Sequence, residues 1–396
     1  MSATADHEQE PCPASDAAQR VLLICPSPRL VRAAVAAGFA VRILTDTPLP
    51  TDGTIPPGVP VDLVDLTDEA ALTEAITVSV RAHGTQRLLA LAGTAELPAV
   101  AGTAARLGVT PNPADAARLL GEPAAMRALL NGSRHSYVPA ARARTAQELP
   151  AAVEEIGGPV TVRSLDSGAG RAAAGEPAGE RAYLVEQYLE GPEYGVVTLT
   201  ADGMHRVLGV VALHGAWHPG CHLFPAPLAE RDEAEARAIV TELLDLAGYE
   251  FGYAYTVVVL TADGPRVVRS RSGFPDEPLA SLIEVATGFS ADEELVQALA
   301  GKPVSAPTAD RYAAVATYRL PAGRLLSVSG LEAVTELPGV HRVHFPYESG
   351  DDIPGDGHSS EGYVMLSADS PQDAAGTVAA VGSLLRAEIS RRPDRA

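Results

Sequence analysis

Lysine is almost missing from this chain: Lys302 is the only one, although Lys and Arg together number 30. Any site that would use a compact ammonium must here do without it or accept the wide, planar guanidinium, and the two are not interchangeable. The plentiful Ala, Arg, Gly and Pro fit GC-rich coding, which by itself turns surface lysines into arginines. Long apolar runs are absent as well, so no segment reads as a bilayer-spanning helix. Residues 1–19 are polar and mildly acidic, lack the apolar core of a signal peptide, and read as a disordered leader. Cysteine is scarce. Cys12, Cys25 and Cys221 are odd in number and far apart, which excludes a disulfide framework and points to a reducing cytoplasm. Positive charge is outweighed: the net charge of −20 argues against nucleic acid or an anionic membrane as partner and favours a small molecule or a protein. What is present suffices for a sizeable core, since 46% of 396 residues are hydrophobic, and the length suits two or three domains.

Residues 20–110 alternate strand and helix, which implies a parallel sheet covered on both faces. VLLIC (21–25) is the first strand, followed by a helix from Arg29 to Gly38, the strand 40–46, VDLVDL, a helix from Glu69 to Arg81 and the strand 87–93. CPSPRL follows the first strand with no glycine, so a dinucleotide-binding turn is not expected. TPNP (110–113) precedes a helical run to Asn131, and 140–157 reads as another helix before the strand GGPVTVRS. The Gly/Ala-rich stretch 165–182 is a loop, after which YLVEQYLE and EYGVVTLTADG read as strands around Gly191. A helix over 229–247, a hairpin YAYTVVVLTADG/PRVVRSRSG with Asp-Gly at its tip and a helix over 279–300 follow. Residues 311–390 read as a separate β-rich unit ending in a helix.

In this order, VEQYLEGPEYGV (185–196), LTADGPRVV (260–268), IEVATGFSADEELVQALAGKPV (283–304) and the segment 323–354 resemble the ATP-grasp carboxylate–amine ligases. The resemblance implies an α/β and α+β architecture with the ATP-grasp fold. Its parts would be a Rossmann-like N-terminal domain (20–110), a shortened small lobe (111–182), a large lobe (183–304) and a C-terminal α+β subdomain (305–396). In that family ATP lies between the lobes, two lysines neutralise phosphate, and acidic and Asn oxygens hold Mg²⁺ for acyl-phosphate formation.

Position by position, the resemblance puts Pro123, in GEPAAMRALL, where the first lysine stands and Arg163 where the second stands. The phosphate-covering loop persists in part as Ser167, Gly168 and Gly170. The metal-binding glutamate falls on Val257 or a neighbour, and the Glu-x-Asn-x-Arg strand end is matched by Arg269, Ser270 and Arg271. Two cations where a hard divalent ion needs oxygen argue against Mg²⁺ in the usual site. Glu186, Gln187 and Leu189 stand where the family's hinge meets adenine, and Glu193 beside them, so ATP remains a candidate ligand. Arg163, Arg269 and Arg271 would converge on a carboxylate or phosphate without metal. The competing reading pairs them with Asp166, Asp276 and Glu277.

A second cluster, His214, Trp217, His218, Cys221 and His222, offers zinc-type ligands. Pro219 and Gly220 break any helical spacing there, so packing or a substrate pocket is the preferred reading over Zn²⁺. No serine elbow occurs, and Cys221 with His218 or His222 is the one nucleophile pairing in sequence. The leading expectation is a pseudo-enzyme: a ligase shell acting as a homodimer, as partner of an active ATP-grasp ligase, or as a binder of an anionic or amino-acid ligand. The alternatives are a working ligase with metal ligands relocated to Asp276, Glu277 and Glu193, and a nucleotide-free enzyme using the arginine-lined cleft or the His/Cys loop.

Overall fold

The computed structural model describes residues 18–49, 53–91, 93–94, 97–133, 136–165, 181–213, 216–354 and 361–390. The expected leader lies outside them up to residue 17, as do Ser167, Gly168, Gly170 and His214.

The N-terminal domain comprises β1 (Arg20–Ile24), α1 (Pro28–Ala36), β2 (Ala40–Thr45), β3 (Val61–Leu63), α2 (Glu69–His83), β4 (Arg87–Ala90) and α3 (Pro98–Leu107). Its parallel sheet has the order β3-β2-β1-β4. The glycine-free CPSP turn works as a helix start. Ser27 accepts from the Leu30 amide, and Pro28 takes the first turn, where its missing donor costs nothing. Asp68 caps α2 in the same way and left-handed Gly84 ends it, so Leu72 and Ile76 turn inward.

Next come α4 (Ala116–Gly121), α5 (Pro123–Ser133), β5 (Ala140–Ala143), α6 (Leu149–Ile156), β6 (Val160–Ser164) and β7 (Tyr183–Gln187). The single helical run expected up to Asn131 is broken at Glu122. The helix expected over 140–157 is corrected too. Ala140–Ala143 pairs with β7 as a strand, a short 3₁₀ turn spans Ala146–Glu148, and the helix proper begins at Leu149. The small sheet has the order β5-β7-β6.

The remaining chain supplies β8 (Glu193–Ala201), β9 (Met204–Ala212), β10 (Cys221–Phe224), α7 (Glu230–Leu246), β11 (Gly252–Thr261), β12 (Gly264–Ser272), α8 (Leu279–Thr287) and α9 (Ala291–Leu299). It ends in β13 (Tyr312–Arg319), β14 (Gly323–Ser329), α10 (Leu331–Thr335), β15 (Val340–His344), β16 (Asp352–Ile353), β17 (Glu361–Ala368), α11 (Pro371–Leu384) and β18 (Arg386–Ser390). β9 and β10 are strands that the sequence reading did not include. One antiparallel sheet, β12-β11-β8-β9-β10-β13-β17-β15, runs through both the 183–304 and 305–396 segments, while β16-β14-β18 form a small separate sheet. Val196, Val258, Val240 and Leu243 join the large sheet to α7 on one face. Val197, Leu199, Tyr253 and Tyr255 meet α1, α8 and α9 on the other. Ion pairing of Arg29 with Glu284 at 3.0 Å and a bond from Ser27 to Asp292 at 2.9 Å tie α1 to that face. Among the described residues no helix is long and apolar enough to cross a membrane.

Candidate functional site

The small sheet faces an edge strand of the large one, β12, across a cleft of about 370 Å³. Although residues 183–187 fall within the segment 183–304, β7 belongs to the small sheet; from that sheet and the turn after it the cleft receives Arg163, Glu186, Gln187 and Leu189, and from the large sheet Glu193 and Arg269. The structure thus brings together the side chains expected at the hinge and one of the two β12 arginines.

Arg127 on α5 completes this cleft and escaped the sequence reading. Its only signal was the cation ending an otherwise apolar Ala-Ala-Met-Arg run. It is 2% exposed, and its Nε lies 2.6 Å from Glu186 Oε1. Its Nη1 donates to the Ser136 carbonyl at 3.2 Å and its Nη2 to that of Val267 at 2.6 Å. Burial pulls this guanidinium below its usual range, against the opposing pull of Glu186. The second Glu186 oxygen pairs with Arg163 Nε at 3.3 Å, and Arg163 Nη1 donates to the Val268 carbonyl at 2.8 Å. Ser136 Oγ accepts from the Val267 amide at 2.9 Å. One carboxylate therefore serves two guanidiniums, and much of Arg163 is committed to protein rather than open to a phosphate.

On the large lobe the register aligns Gly195, Val257 and Arg269 in one row across β8, β11 and β12. Val257 is fully buried, and the only acid between Gly252 and Ser272 is Asp263, in the hairpin turn. Tyr255 leans along β11 over this row. A Cβ built on Gly195 would stand 2.5 Å from the tyrosine oxygen, so only glycine leaves room for the ring. Tyr255 is 8% exposed, and its hydroxyl has no hydrogen-bond partner among the described residues. Burial pushes this phenol up to about 12, with Arg269 and Arg271 pulling the other way. The Arg271 guanidinium lies 5.9 Å from the Tyr255 ring centre, pairs with Asp276 at 2.9 Å and donates to the Phe274 carbonyl at 3.2 Å. Arg269 is exposed and has no such partner among the described residues. Glu277 accepts from Ser281 at 2.7 Å.

A magnesium ion wants an octahedron of oxygens. This row offers a hydrocarbon and a cation. The residues present do not fit Mg²⁺ in the manner of the resemblance.

The His/Cys segment is built differently from the expected loop. Cys221 and His222 lie in β10, both buried. Trp217 packs with Cys221, Leu223 and Val240 on the α7 side of the sheet, the face opposite Tyr255. His218 Nδ1 is 3.6 Å from Cys221 Sγ, but burial pushes that thiol up to about 11, which disfavours the reactive thiolate. Iodoacetamide at pH 8 is therefore expected to modify half-buried Cys25 at least about tenfold faster than Cys221. Peptide mass spectrometry reads the ratio, and comparable rates would contradict this environment.

Residues 318–390 match the family model described as L-amino acid ligase C-terminal domain 2. Among solved structures, an L-amino acid ligase from Bacillus licheniformis is similar with a TM-score of 0.74 at 18% identity, covering 94% of this chain and 99% of that one. An N5-carboxyaminoimidazole ribonucleotide synthetase from Thermotoga maritima is similar with a TM-score of 0.68 at 17% identity, over 94% of this chain and 100% of the other. A biotin carboxylase from Campylobacter jejuni, solved as a β,γ-ATP complex, gives 0.62 at 13% identity, over 93% of this chain and 92% of its own. No curated protein matches. The chain has the ATP-grasp fold and resembles the carboxylate–amine ligases built on it.

Proposed function

We propose that this protein keeps the shell of an ATP-grasp carboxylate–amine ligase without its metal-dependent acyl-phosphate chemistry. It binds a small anionic or amino-acid-type molecule in the inter-lobe cleft or acts as a partner or regulatory subunit. One observation carries this reading: the row Gly195, Val257, Arg269 holds no acid, and the side chains that β11 and β12 give to the cleft are Val259, Val268 and Arg269, hydrocarbon and guanidinium where divalent-ion chemistry needs oxygen. Arg163 supports it as well, since Glu186 already offsets its charge and the Val268 carbonyl holds one of its N–H groups. Relocating the metal to Asp276 would mean breaking that residue's pairing with Arg271, on a side chain that is 78% exposed.

Titration calorimetry with ATP tests the proposal. Any nucleotide affinity is expected to rise less than about threefold on adding Mg²⁺, because β11 and β12 supply no oxygen through which a metal could bridge phosphate to protein. Magnesium-dependent binding, with ADP released when an amino-acid pair is added, would overturn the reading.

A further inference from the structure

Beside Arg269, at the wall of the cleft, one buried donor is unused. Buried hydroxyls almost always find a partner, yet that of Tyr255 has none among the described residues. Its position is set by the sheet. The ring leans away from its register partner Arg271 and toward Val257, so the oxygen stands above Gly195, in the same row as Arg269. Two hydrogen-bond donors without partners among the described residues, one phenolic and one guanidinium, thus flank the fully buried Val257 side chain.

Charge then selects the kind of ligand. Arg127 and Arg163 share the single carboxylate of Glu186, Arg271 is matched by Asp276, and Arg269 shares its cleft with Glu193. These seven side chains leave an excess of one positive charge. A polyphosphate would bring several negative charges with no metal to offset them. A carboxylate brings one.

We propose that Arg269 and the Tyr255 hydroxyl form a metal-free site for a single carboxylate, supplied by a small molecule in the row where β11 and β12 offer no acid of their own. This rests on the anion-binding reading of the cleft and narrows it to one chemical class. Arg269 meets the carboxylate with its forked N–H groups, and the tyrosine O–H donates to an oxygen of the same group. The apolar Val257 between them offers no competing polar group, and the burial of the tyrosine O–H strengthens its bond.

The test titrates the full chain with N-acetyl-L-alanine and, separately, with pyrophosphate, both without divalent ions. The expected result is tighter binding of N-acetyl-L-alanine. Tyr255→Phe should weaken it about tenfold, with an unchanged circular dichroism spectrum and a melting temperature no lower than that of the parent. Arg269→Gln should remove it. If Arg269→Gln abolishes binding and Tyr255→Phe does not affect it, the cleft still takes anions but the tyrosine site is wrong. Tighter binding of pyrophosphate would reject the single-carboxylate class. Binding of neither probe at millimolar concentration would overturn this site and the anion-binding reading beneath it.

Discussion

Replacing Glu186 by Gln should cost the protein about 3–5 kcal/mol of stability, the usual consequence of stranding a buried charge. Glu186 is 3% exposed and Arg127 is 2% exposed, and among the described residues their 2.6 Å contact is the one counter-charge paired with that guanidinium. An amide of the same shape keeps a hydrogen bond but removes the charge, leaving Arg127 with two backbone carbonyls and a nearby Arg163 that repels it. A urea titration should show a lower midpoint with an unchanged slope. The double variant Arg127→Met, Glu186→Leu is expected to regain much of the loss, because removing both charges also removes their desolvation cost. A single-variant loss below about 1 kcal/mol would mean that water reaches the pair.

Gly191→Ala is expected to be nearly as damaging, at about 2–6 kcal/mol, combining backbone strain with overpacking. This glycine has φ +150°, and a Cβ on it would overlap the Leu260 carbonyl oxygen and come within 3.1 Å of Val259 Cγ1. The neighbouring backbone has little freedom to yield, since the Leu260 amide donates to the Pro192 carbonyl at 3.0 Å. The substitution acts where the small lobe passes into the large one, so thermal melting and anion affinity should fall together. Gly132→Ala is the control. It lies in α5 with nothing within 4 Å of an added Cβ, and it should be neutral or slightly stabilising. A melting temperature for Gly191→Ala equal to that of the control would refute the close approach.

Much of the architecture could be read from residue order because the signals were local. VLLI makes a buried strand, Asp-Gly closes the β11–β12 hairpin, and Glu186, Gln187, Leu189 and Glu193, close in sequence, line one cleft. The failures had physical causes. Ala140–Ala143 carries high helix propensity, and only pairing with β7, distant in sequence, makes it a strand. Met204–Ala212 follows an Ala-Asp-Gly turn like the one at 262–264, but the β8–β9 register slips at Val197/Thr198, so simple alternation does not describe the pair. Cys221–Phe224 is hidden between Pro-Gly and proline. Arg127 was invisible because a cation on a helix normally reads as solvated, and its carboxylate partner stands 59 positions away. The face on which Tyr255 lies follows from strand alternation, but its lean over Gly195 depends on a side-chain direction that no pattern encodes.

The contacts made by Arg127, Ser136 and Arg163 along β12 have a further consequence. A strand at the rim of a sheet presents bare backbone groups that invite strands of other molecules to pair, the usual beginning of aggregation. At Val267 and Val268 those groups are already taken by side chains from the opposite lobe. The arrangement that shapes the cleft thus also guards an exposed seam, and variants that strip these donors should show it first as self-association on storage.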